Sequence, residues 1–453
     1  DNMELGFSNK QRMLNLIEKL FVFYIFIQPI LDLFVYINVP LSNPIRVLAL
    51  LIGFIYLLFY PDKKIRIFGI GYIITLGIFM LANLINNFIL KSPFYFTQEL
   101  TYGVKSAYVV SMLIIYTAVF SSLKNKLKWE EIVQRGITLN LIFISIIMAL
   151  ATITNTGHRS YGMLAKKGHS GWFFSANEIS AILALGFGIL LIYILNKKST
   201  KEKIIWTPII LIVAWSMLTI GTKVGLFALL ILLIISVFIS FIEWFVKKQN
   251  AVNIIILAFV LTSSVLYIPN SPVGNNLNIT FSKPEASNGD VSELPKGPKN
   301  VQKPKSSVPK QALSGRDQFL KNTLEDFKEA PLSQKLLGMG PGGNYKERLK
   351  LIEMDFLDWF FAYGVIGFII LFSPIMLYLL VIIKRMFQLR FKQLNSTLFI
   401  VGLEVGLALG IALLAGHIFL NPASGIYFAI LLSYLYVLAA DIKQNKIITD
   451  KSK

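Results

Sequence analysis

Five basic side chains in this sequence are of the types that hold phosphate groups. They are spread along the chain and lie in or beside strongly apolar segments: Arg46, Lys105, Arg159, Lys223 and Arg316. A guanidinium can bind two phosphate oxygens at once, and an ammonium binds phosphate as a compact charge. A charge inside an apolar segment is costly unless it is paired or solvated, so a binding function is the default interpretation.

Acidic side chains and one histidine lie close to similar segments. Glu353, Asp355 and Asp358 precede or open one segment, Glu178 opens another, and His417 lies near the end of a third. A carboxylate can accept a proton from a hydroxyl group, so Glu353 or Asp355 could act as a general base. Glu178 could instead cap its helix, and His417 could be a packing residue. The spacing of these residues does not match a zinc site, and no nucleotide-binding glycine motif follows a strand.

The segments that position these residues are long enough to cross a membrane. Of the 453 residues, 55% are hydrophobic and 15% are charged, against about 25% charged in soluble domains. A bilayer core of about 30 Å needs about 20 apolar residues of helix. Twelve runs approach this length, at 14–38, 44–60, 66–90, 100–122, 132–153, 174–195, 204–220, 223–245, 251–268, 356–383, 396–420 and 422–440. The runs lack the alternation of barrel strands, so we predict an all-α polytopic membrane protein with about 12 spans.

Lysine and arginine in the short loops predict the orientation. Basic residues cluster in every second loop, from the segment before the first span to the C-terminal tail. Such loops stay in the cytoplasm, so we expect both termini there. Most of the net charge of +19 then reflects topology, and no nucleic-acid partner is expected. Lysine in excess of arginine, with abundant Ile and Asn, is typical of a low-GC bacterium, which suggests a bacterial plasma membrane. The charged ends of the Arg46 and Lys105 side chains could reach the lipid headgroups on the outer side of that membrane.

One long hydrophilic segment divides the chain. The three parts are spans one to nine, an extracytoplasmic loop, and spans ten to twelve with a cytoplasmic tail: residues 1–269, 270–355 and 356–453. Residues 270–311 are rich in Pro, Lys, Ser, Asn and Gly, which predicts a flexible linker. Residues 314–329 carry apolar side chains at helical spacing after Ser314, a suitable cap. They predict an amphipathic helix that lies on the membrane or over a cavity, where it could act as a lid.

Four short segments of the second half occur in an order typical of one family of membrane proteins. They are Gly171–Ala181 around Asn177, Gly221–Gly225 around Lys223, Ser314-Gly315-Arg316 with Pro331 and Gly338-Met339-Gly340, and Glu353–Asp358 followed by Gly364 and Gly367. Together with twelve spans and one large outer loop, they resemble the O-antigen ligase and polymerase superfamily of Wzy, WaaL and TuaE type. The resemblance covers residues 155–380, with topology alone in common before them.

The resemblance implies a glycosyltransferase of polysaccharide biosynthesis, working with the bilayer and with the rest of that machinery. The donor would be a glycan on undecaprenyl diphosphate, and the acceptor another glycan. The implied substrate-binding residues are Arg159, Lys223, Lys105, Arg46, Asn177, Glu178 and His417, with Glu353, Asp355 and Arg316 as catalytic residues. The family's ligases usually carry a histidine where Glu353 stands, which favours a polymerase or a Gram-positive wall-glycan ligase. No metal or other cofactor would be required, because the protein's cations would stabilise the diphosphate.

A different class of function stays open at this stage. Twelve spans also suit a secondary transporter or a flippase for a lipid-linked glycan. Transporters usually have halves related by a repeat, and the segments around Asn177 and Arg316 have no second copy in the sequence. Release of undecaprenyl diphosphate together with a longer glycan would indicate transfer, whereas relocation of the lipid alone would indicate a flippase.

Overall fold

A computed structural model describes residues 2–126, 128–162, 165–248, 251–281, 316–344, 351–388 and 396–451. Within these ranges the regular structure is helical, apart from one isolated antiparallel bridge between Arg159 and His169. The all-α prediction is therefore confirmed. The helices are α1 (Asn2–Phe26), α2 (Gln28–Tyr36), α3 (Ser42–Phe59), α4 (Lys63–Leu90), α5 (Phe96–Leu123), α6 (Trp129–Ile153), α7 (Ala176–Leu195), α8 (Thr200–Thr219), α9 (Lys223–Lys247), α10 (Ala251–Tyr267), α11 (Pro272–Phe281), α12 (Arg316–Glu329), α13 (Leu332–Leu337), α14 (Asp355–Gln388), α15 (Ser396–Leu414) and α16 (Pro422–Lys451).

Most of these helices are long and apolar enough to cross a membrane. The described residues contain 11 such helices, or 12 when α1 and α2 count as one span with a bend of 52°. The bend lies at Ile27, just before Pro29, whose ring nitrogen cannot continue the hydrogen bonds of α1. The prediction of about twelve spans is confirmed in this form, and the chain is a multi-pass membrane protein.

Three helices form the centre of the bundle. Protein encloses α5, α7 and α16 more completely than the other spans, and α16 packs along both of the others. A glycine permits one close approach, since a Cβ on Gly425 would lie 2.4 Å from Cγ2 of Val109. By contrast, α3, α4 and α10 expose many Ile, Leu and Phe side chains, as expected of helices that face lipid. The first turns of α7 and α16 are thereby fixed at the centre of one end of the bundle.

One acidic side chain lies in the middle of a span. Glu404 of α15 is fully buried, and its Oε1 accepts the backbone N–H of Ile189 in α7 at 3.1 Å. The contact depends on a glycine, because a Cβ on Gly188 would lie 2.7 Å from the same oxygen. A polar contact therefore joins α7 to α15 far from either end of both helices.

Helix α14 is broken after its first turns. Gly364 has φ 62° and ψ −170°, a backbone conformation open almost only to glycine. The break frees the carbonyl groups of Phe361 and Ala362, which accept the backbone N–H groups of Met339 and Gly340. Asn83 of α4 donates a further hydrogen bond to the Ala362 carbonyl at 3.0 Å. The glycine-rich segment after α13 is thus packed against the start of α14.

The first part of the predicted flexible linker, 270–311, is helical. Helix α11 occupies residues 272–281, and Asn276 anchors it to two other segments. Its Nδ2 donates to the carbonyls of Lys167 at 2.7 Å and Gly221 at 2.9 Å, and its Oδ1 accepts the Lys167 N–H at 2.8 Å. Residues 282–311 lie outside the described residues, as does Ser314, the predicted cap of the amphipathic helix. Helix α12 lies within the range predicted for that helix and begins with Arg316.

The eleventh span ends earlier than predicted. Helix α15 stops at Leu414, and residues 415–421 form an irregular segment before α16, where we had expected almost no loop. Gly416 and His417 have φ of 69° and 68°, which ends the helix. We call the end of the bundle that carries this segment, α11, α12 and α13 the loop end. The candidate site lies there.

Candidate functional site

Asp355, the first residue of α14, holds the irregular segment between α15 and α16. Its Oδ1 accepts the backbone N–H of His417 at 3.0 Å. Its Oδ2 accepts the N–H groups of Ile418 at 2.7 Å and Phe419 at 2.8 Å. These donors have no helical partner once α15 has ended, so the carboxylate replaces the missing carbonyls. Asp355 is 1% exposed, and its geometry favours an anchoring role over the predicted role of general base.

Asp358, one turn further along α14, holds the segment that precedes the helix. Its two carboxylate oxygens accept the N–H groups of Ile352 at 2.9 Å and Met354 at 3.1 Å. Between them, Glu353 has φ 63°, an uncommon conformation for a residue with a side chain. The turn directs the Glu353 side chain outward, and it is 52% exposed. Of the acids around the start of α14, Glu353 is the accessible one.

Arg316, the first residue of α12, joins Glu353 to the end of α15. Its Nη2 lies 3.3 Å from Oε2 of Glu353 and donates to the Ala415 carbonyl at 3.1 Å, while Nη1 donates to the Leu414 carbonyl at 3.3 Å. A cation is favourable there because the last carbonyls of a helix carry partial negative charge. The Arg316 Nε is buried and has no hydrogen-bond partner among the described residues. Arg316 thus caps α15 and places positive charge next to the exposed carboxylate.

His417 lies between this pair and the start of α7. Its Nε2 lies 3.2 Å from Nδ2 of Asn177, the second residue of α7. Burial lowers the pKa of the His417 imidazole below its ordinary value of 6.5; the Glu353 carboxylate opposes this and the Arg316 guanidinium adds to it. A neutral ring can accept the Asn177 N–H at Nε2 and still offer a second nitrogen to a ligand.

A polar cavity of about 50 Å³ opens on the other side of Asn177. Arg46 of α3 and Asp32 of α2 form a buried ion pair in its wall, with 2.6 Å between Nη2 and Oδ1. Glu178 also lines the cavity, together with Asn421, which directly precedes α16, and the two side chains lie close enough to interact. Lys105 lies near enough to Glu178 for their charges to interact. The full lining is Asp32, Val35, Arg46, Phe173, Phe174, Ser175, Glu178, Ile179, Asn421 and Ala423.

Arg159 and Lys223 lie together in a neighbouring part of the loop end. Arg159 pairs its backbone with His169, and its Nη2 donates to the carbonyl of Lys166 at 3.2 Å. The charges of Lys166 and Lys223 interact, so several cations share this region. Helix α7 connects the region to the cavity, because the Ser180 hydroxyl lies 2.5 Å from that of Thr222, the cap of α9.

The structure therefore places the predicted site residues at one end of the bundle, in two groups. A chain of contacts and interacting charges joins the first group: Arg316, Glu353, His417, Asn177, Glu178, Asp355, Arg46 and Lys105. The second group consists of Arg159 and Lys223. The first turn of α7 lies between them, since Asn177 contacts one group and Ser180 contacts the cap of α9.

Sequence reasoning missed two polar residues of the cavity. Asp32 is an acid within the apolar run Pro29–Tyr36, the same kind of signal that identified Arg46. Its salt bridge with Arg46 spans 14 residues and joins two different helices, α2 and α3, so no helical spacing connects the two in sequence. Asn421 carried no comparable signal, because the segment around it was expected to be a junction between spans.

The loop end brings together three kinds of chemically useful group. They are an accessible carboxylate, an imidazole whose pKa is lowered by burial, and several cations. No group of three His, Asp or Glu side chains within the described ranges is arranged to hold a metal ion. The available groups are therefore suited to moving a proton and to binding an anionic leaving group.

Similarity to one protein family covers both halves of the chain. The model of the family described as "O-antigen ligase like membrane protein" matches residues 14–444. No curated protein matches the chain. The matched range includes every candidate site residue and all of the membrane-spanning helices from the middle of α1 to α16.

Proposed function

Since the chain belongs to the family of O-antigen ligase-like membrane proteins, we propose that it transfers a glycan from undecaprenyl diphosphate to an acceptor glycan. It would act as a polymerase or ligase of a cell-surface polysaccharide. The ion pair of Arg316 with the exposed Glu353, beside His417, is the observation that carries this proposal. We place the loop end outside a bacterial plasma membrane and both termini in the cytoplasm, because lysine-rich loops lie at the opposite end.

Glu353 is the proposed general base. The acceptor hydroxyl oxygen attacks the anomeric carbon of the donor sugar, and the bond from that carbon to the diphosphate oxygen breaks. Undecaprenyl diphosphate leaves with the electron pair, while the hydroxyl proton passes to the Glu353 carboxylate. Glu353 suits this role because it is half exposed and held by a single ion pair. Asp355 suits it less, because both of its oxygens already accept backbone hydrogen bonds.

Cations of the protein stabilise the leaving diphosphate in this scheme. Arg316 lies next to the base, and its guanidinium places a positive charge where a phosphate group could bind. Arg159 and Lys223 supply further positive charge on the other side of α7. Because these charges are already in place before the reaction, they lower the energy of the transition state without reorganisation. We propose that no metal ion is needed, so a chelator should leave the rate of transfer unchanged.

His417 and Asn177 are proposed to position the substrate. The contact between their side chains fixes the imidazole ring close to Glu353 and Arg316. Helix α12 covers the same region, since Phe327 packs on Phe360 and Phe361 at the start of α14. Lifting of α12 would then admit the lipid-linked donor, and its return would exclude water.

The experiment that tests the function uses the full chain in lipid nanodiscs with an undecaprenyl-diphosphate-linked glycan. We expect a longer glycan and free undecaprenyl diphosphate in equal amounts. Glu353→Gln should lower kcat by about 10²-fold or more, the usual contribution of a general base. Glu325→Gln, which changes an exposed acid on α12, is the matched control and should retain the wild-type rate.

Two results would contradict the proposal. Unchanged product from Arg316→Ala, in a protein that still unfolds cooperatively, would remove the site assignment. Relocation of the lipid across proteoliposomes without any release of undecaprenyl diphosphate would identify a flippase instead. Both assays use the same purified protein and the same donor lipid, so together they separate transfer from transport.

A further inference from the structure

The cavity beside Asn177 contains buried polar atoms that lack partners. Asp32 Oδ2 and Arg46 Nε have no hydrogen bond within the described part of the chain. Their side chains are only 9% and 8% exposed, and both residues line the cavity. Leaving such atoms unpaired is costly, so native proteins supply a partner from water or a ligand. With the Asp32–Arg46 pair and Glu178 in its wall, the cavity favours a polar occupant.

The charge of the cavity does not suit a diphosphate. The positive charge of Arg46 is already matched by Asp32 at 2.6 Å. Glu178 brings a second carboxylate, whose charge interacts with those of Asp32, Arg46 and Lys105, so the cations near the cavity are matched by acids. Carboxylates repel phosphate but accept hydrogen bonds from hydroxyl groups. The expectation that Arg46 and Glu178 bind the anionic part of the donor is thus less favourable than binding of a neutral, hydroxyl-rich group.

The remaining walls fit a sugar ring. Asn421 offers an amide beside Glu178, and amides can both donate to and accept from hydroxyl groups. Phe174 lines the cavity with an exposed ring, and His158 stacks behind it at 5.6 Å between ring centroids. A cavity of about 50 Å³ has room for a few waters or for one hydroxyl-bearing edge of a ring. The rest of the ring would lie against Phe174.

The position of the cavity connects it to the proposed reaction. Glu178 directly follows Asn177, which contacts His417. Asn421, on the other side of the cavity, belongs to the same irregular segment as His417. That segment is bound to Asp355 at the start of α14, close to Glu353. We propose that this cavity binds the hydroxyl-bearing edge of the terminal sugar of the acceptor glycan, and this assignment rests on the transfer reaction proposed above. Bound there, the acceptor presents a neighbouring hydroxyl towards Glu353.

A single introduced thiol tests the occupancy of the cavity. The chain has no cysteine, so Val35→Cys places a unique label in the cavity wall at an exposed position. Ile37→Cys is the matched control, because Ile37 is exposed on the same segment and does not line the cavity. The full chain in nanodiscs is treated with a maleimide in the presence of methyl glycosides of glucose, galactose, N-acetylglucosamine or glucuronic acid, or of pyrophosphate.

We expect at least one methyl glycoside to slow labelling of Val35→Cys several-fold and to leave Ile37→Cys unaffected. Adding Glu178→Gln should remove this protection, and thermal unfolding of the variant verifies that it is folded. In the transfer assay, Glu178→Gln should raise the KM for the acceptor about tenfold, as for loss of one hydrogen bond to a charged group.

Two outcomes would overturn the assignment. Protection by pyrophosphate but by no glycoside would identify a phosphate site, and absence of protection by every probe would leave a cavity that holds only water. The labelling experiment does not need transfer to occur. Protection without any transfer would refute the proposed function and with it the acceptor role, whereas transfer without protection would refute only the sugar site.

Discussion

The Oδ1 of Asp355 accepts the backbone N–H of His417 at 3.0 Å, across 62 residues of sequence. The same carboxylate binds the next two N–H groups, so it sets the path of the whole turn after α15. The orientation of the His417 ring towards Asn177 follows from that path. An acid at the start of one span therefore positions an imidazole at the end of another.

Replacement of this anchor should impair both stability and activity. In Asp355→Asn the amide nitrogen faces a backbone donor, so at least one hydrogen bond to a charged acceptor is lost, with a cost of about 2–3 kcal/mol. We expect a lower unfolding temperature and at least a tenfold loss of glycan transfer. Asp62→Asn is the control, because Asp62 caps α4 in an exposed turn where asparagine is an equally good cap. Equal behaviour of the two variants would contradict the anchoring role.

Stability should fall in mild acid. Burial lowers the pKa of His169 and of His417 below 6.5. A histidine with a lowered pKa binds its proton more weakly in the folded state, so its stabilising contribution is complete above 6.5 and disappears as the pH falls through the folded pKa. The unfolding temperature of the wild type, measured against that of the double variant His169→Gln/His417→Gln, should thus decrease between about pH 7 and about pH 5. The double variant His169→Gln/His417→Gln should show a flatter profile, and a wild-type slope in this variant would exclude the explanation.

The break in α14 should tolerate only glycine. A Cβ at Gly364 would lie 2.6 Å from the backbone nitrogen of Gly338 and 2.6 Å from the Leu336 carbonyl oxygen. Gly364→Ala combines this overlap with a positive φ, and should destabilise the protein by about 2 kcal/mol or more. Gly402→Ala is the comparison, since nothing lies within 4 Å of the added Cβ. Thermal unfolding in detergent measures both, and only the first variant should unfold at a lower temperature.

The packing of α12 against α14 should depend on one aromatic side chain, that of Phe327. The Phe327 ring lies 5.5 Å from that of Phe360 and 5.3 Å from that of Phe361. Phe327→Ala removes these contacts, worth about 2 kcal/mol, so a protease should cleave α12 at least tenfold faster and glycan transfer should fall. Leu324→Ala truncates an exposed side chain on the same helix and should have neither effect. Unchanged proteolysis of Phe327→Ala would show that α12 is held in another way.

The spans could be predicted from sequence because a bilayer imposes one strong requirement, a sufficient length of apolar helix. The requirement does not fix where an apolar helix stops. Residues 415–420 continue the apolar run of α15, yet they leave the helix, and Asp355 from another span accepts the backbone N–H groups of residues 417–419. A contact between distant segments, which no local pattern records, decided that boundary.

The sequence was enough to predict most of the residues that lie together at the loop end, but not which of them contact one another. Arg46 stood out as a cation in an apolar segment, whereas its neutralisation by Asp32 depends on how α2 packs against α3. Asp355 and Glu353 were equivalent candidates for a base. The backbone turns around them make one a buried anchor and leave the other exposed, and such turns follow from tertiary contacts.

Glu404 has a consequence for how the protein is made. An acid at the centre of a helix costs about 3 kcal/mol when the helix enters the bilayer on its own. In the finished bundle the Glu404 carboxylate accepts a hydrogen bond from the backbone of α7 at Ile189, 215 residues earlier in the chain. This contact offsets part of the cost, so the stable insertion of α15 depends on a helix that is synthesised long before it.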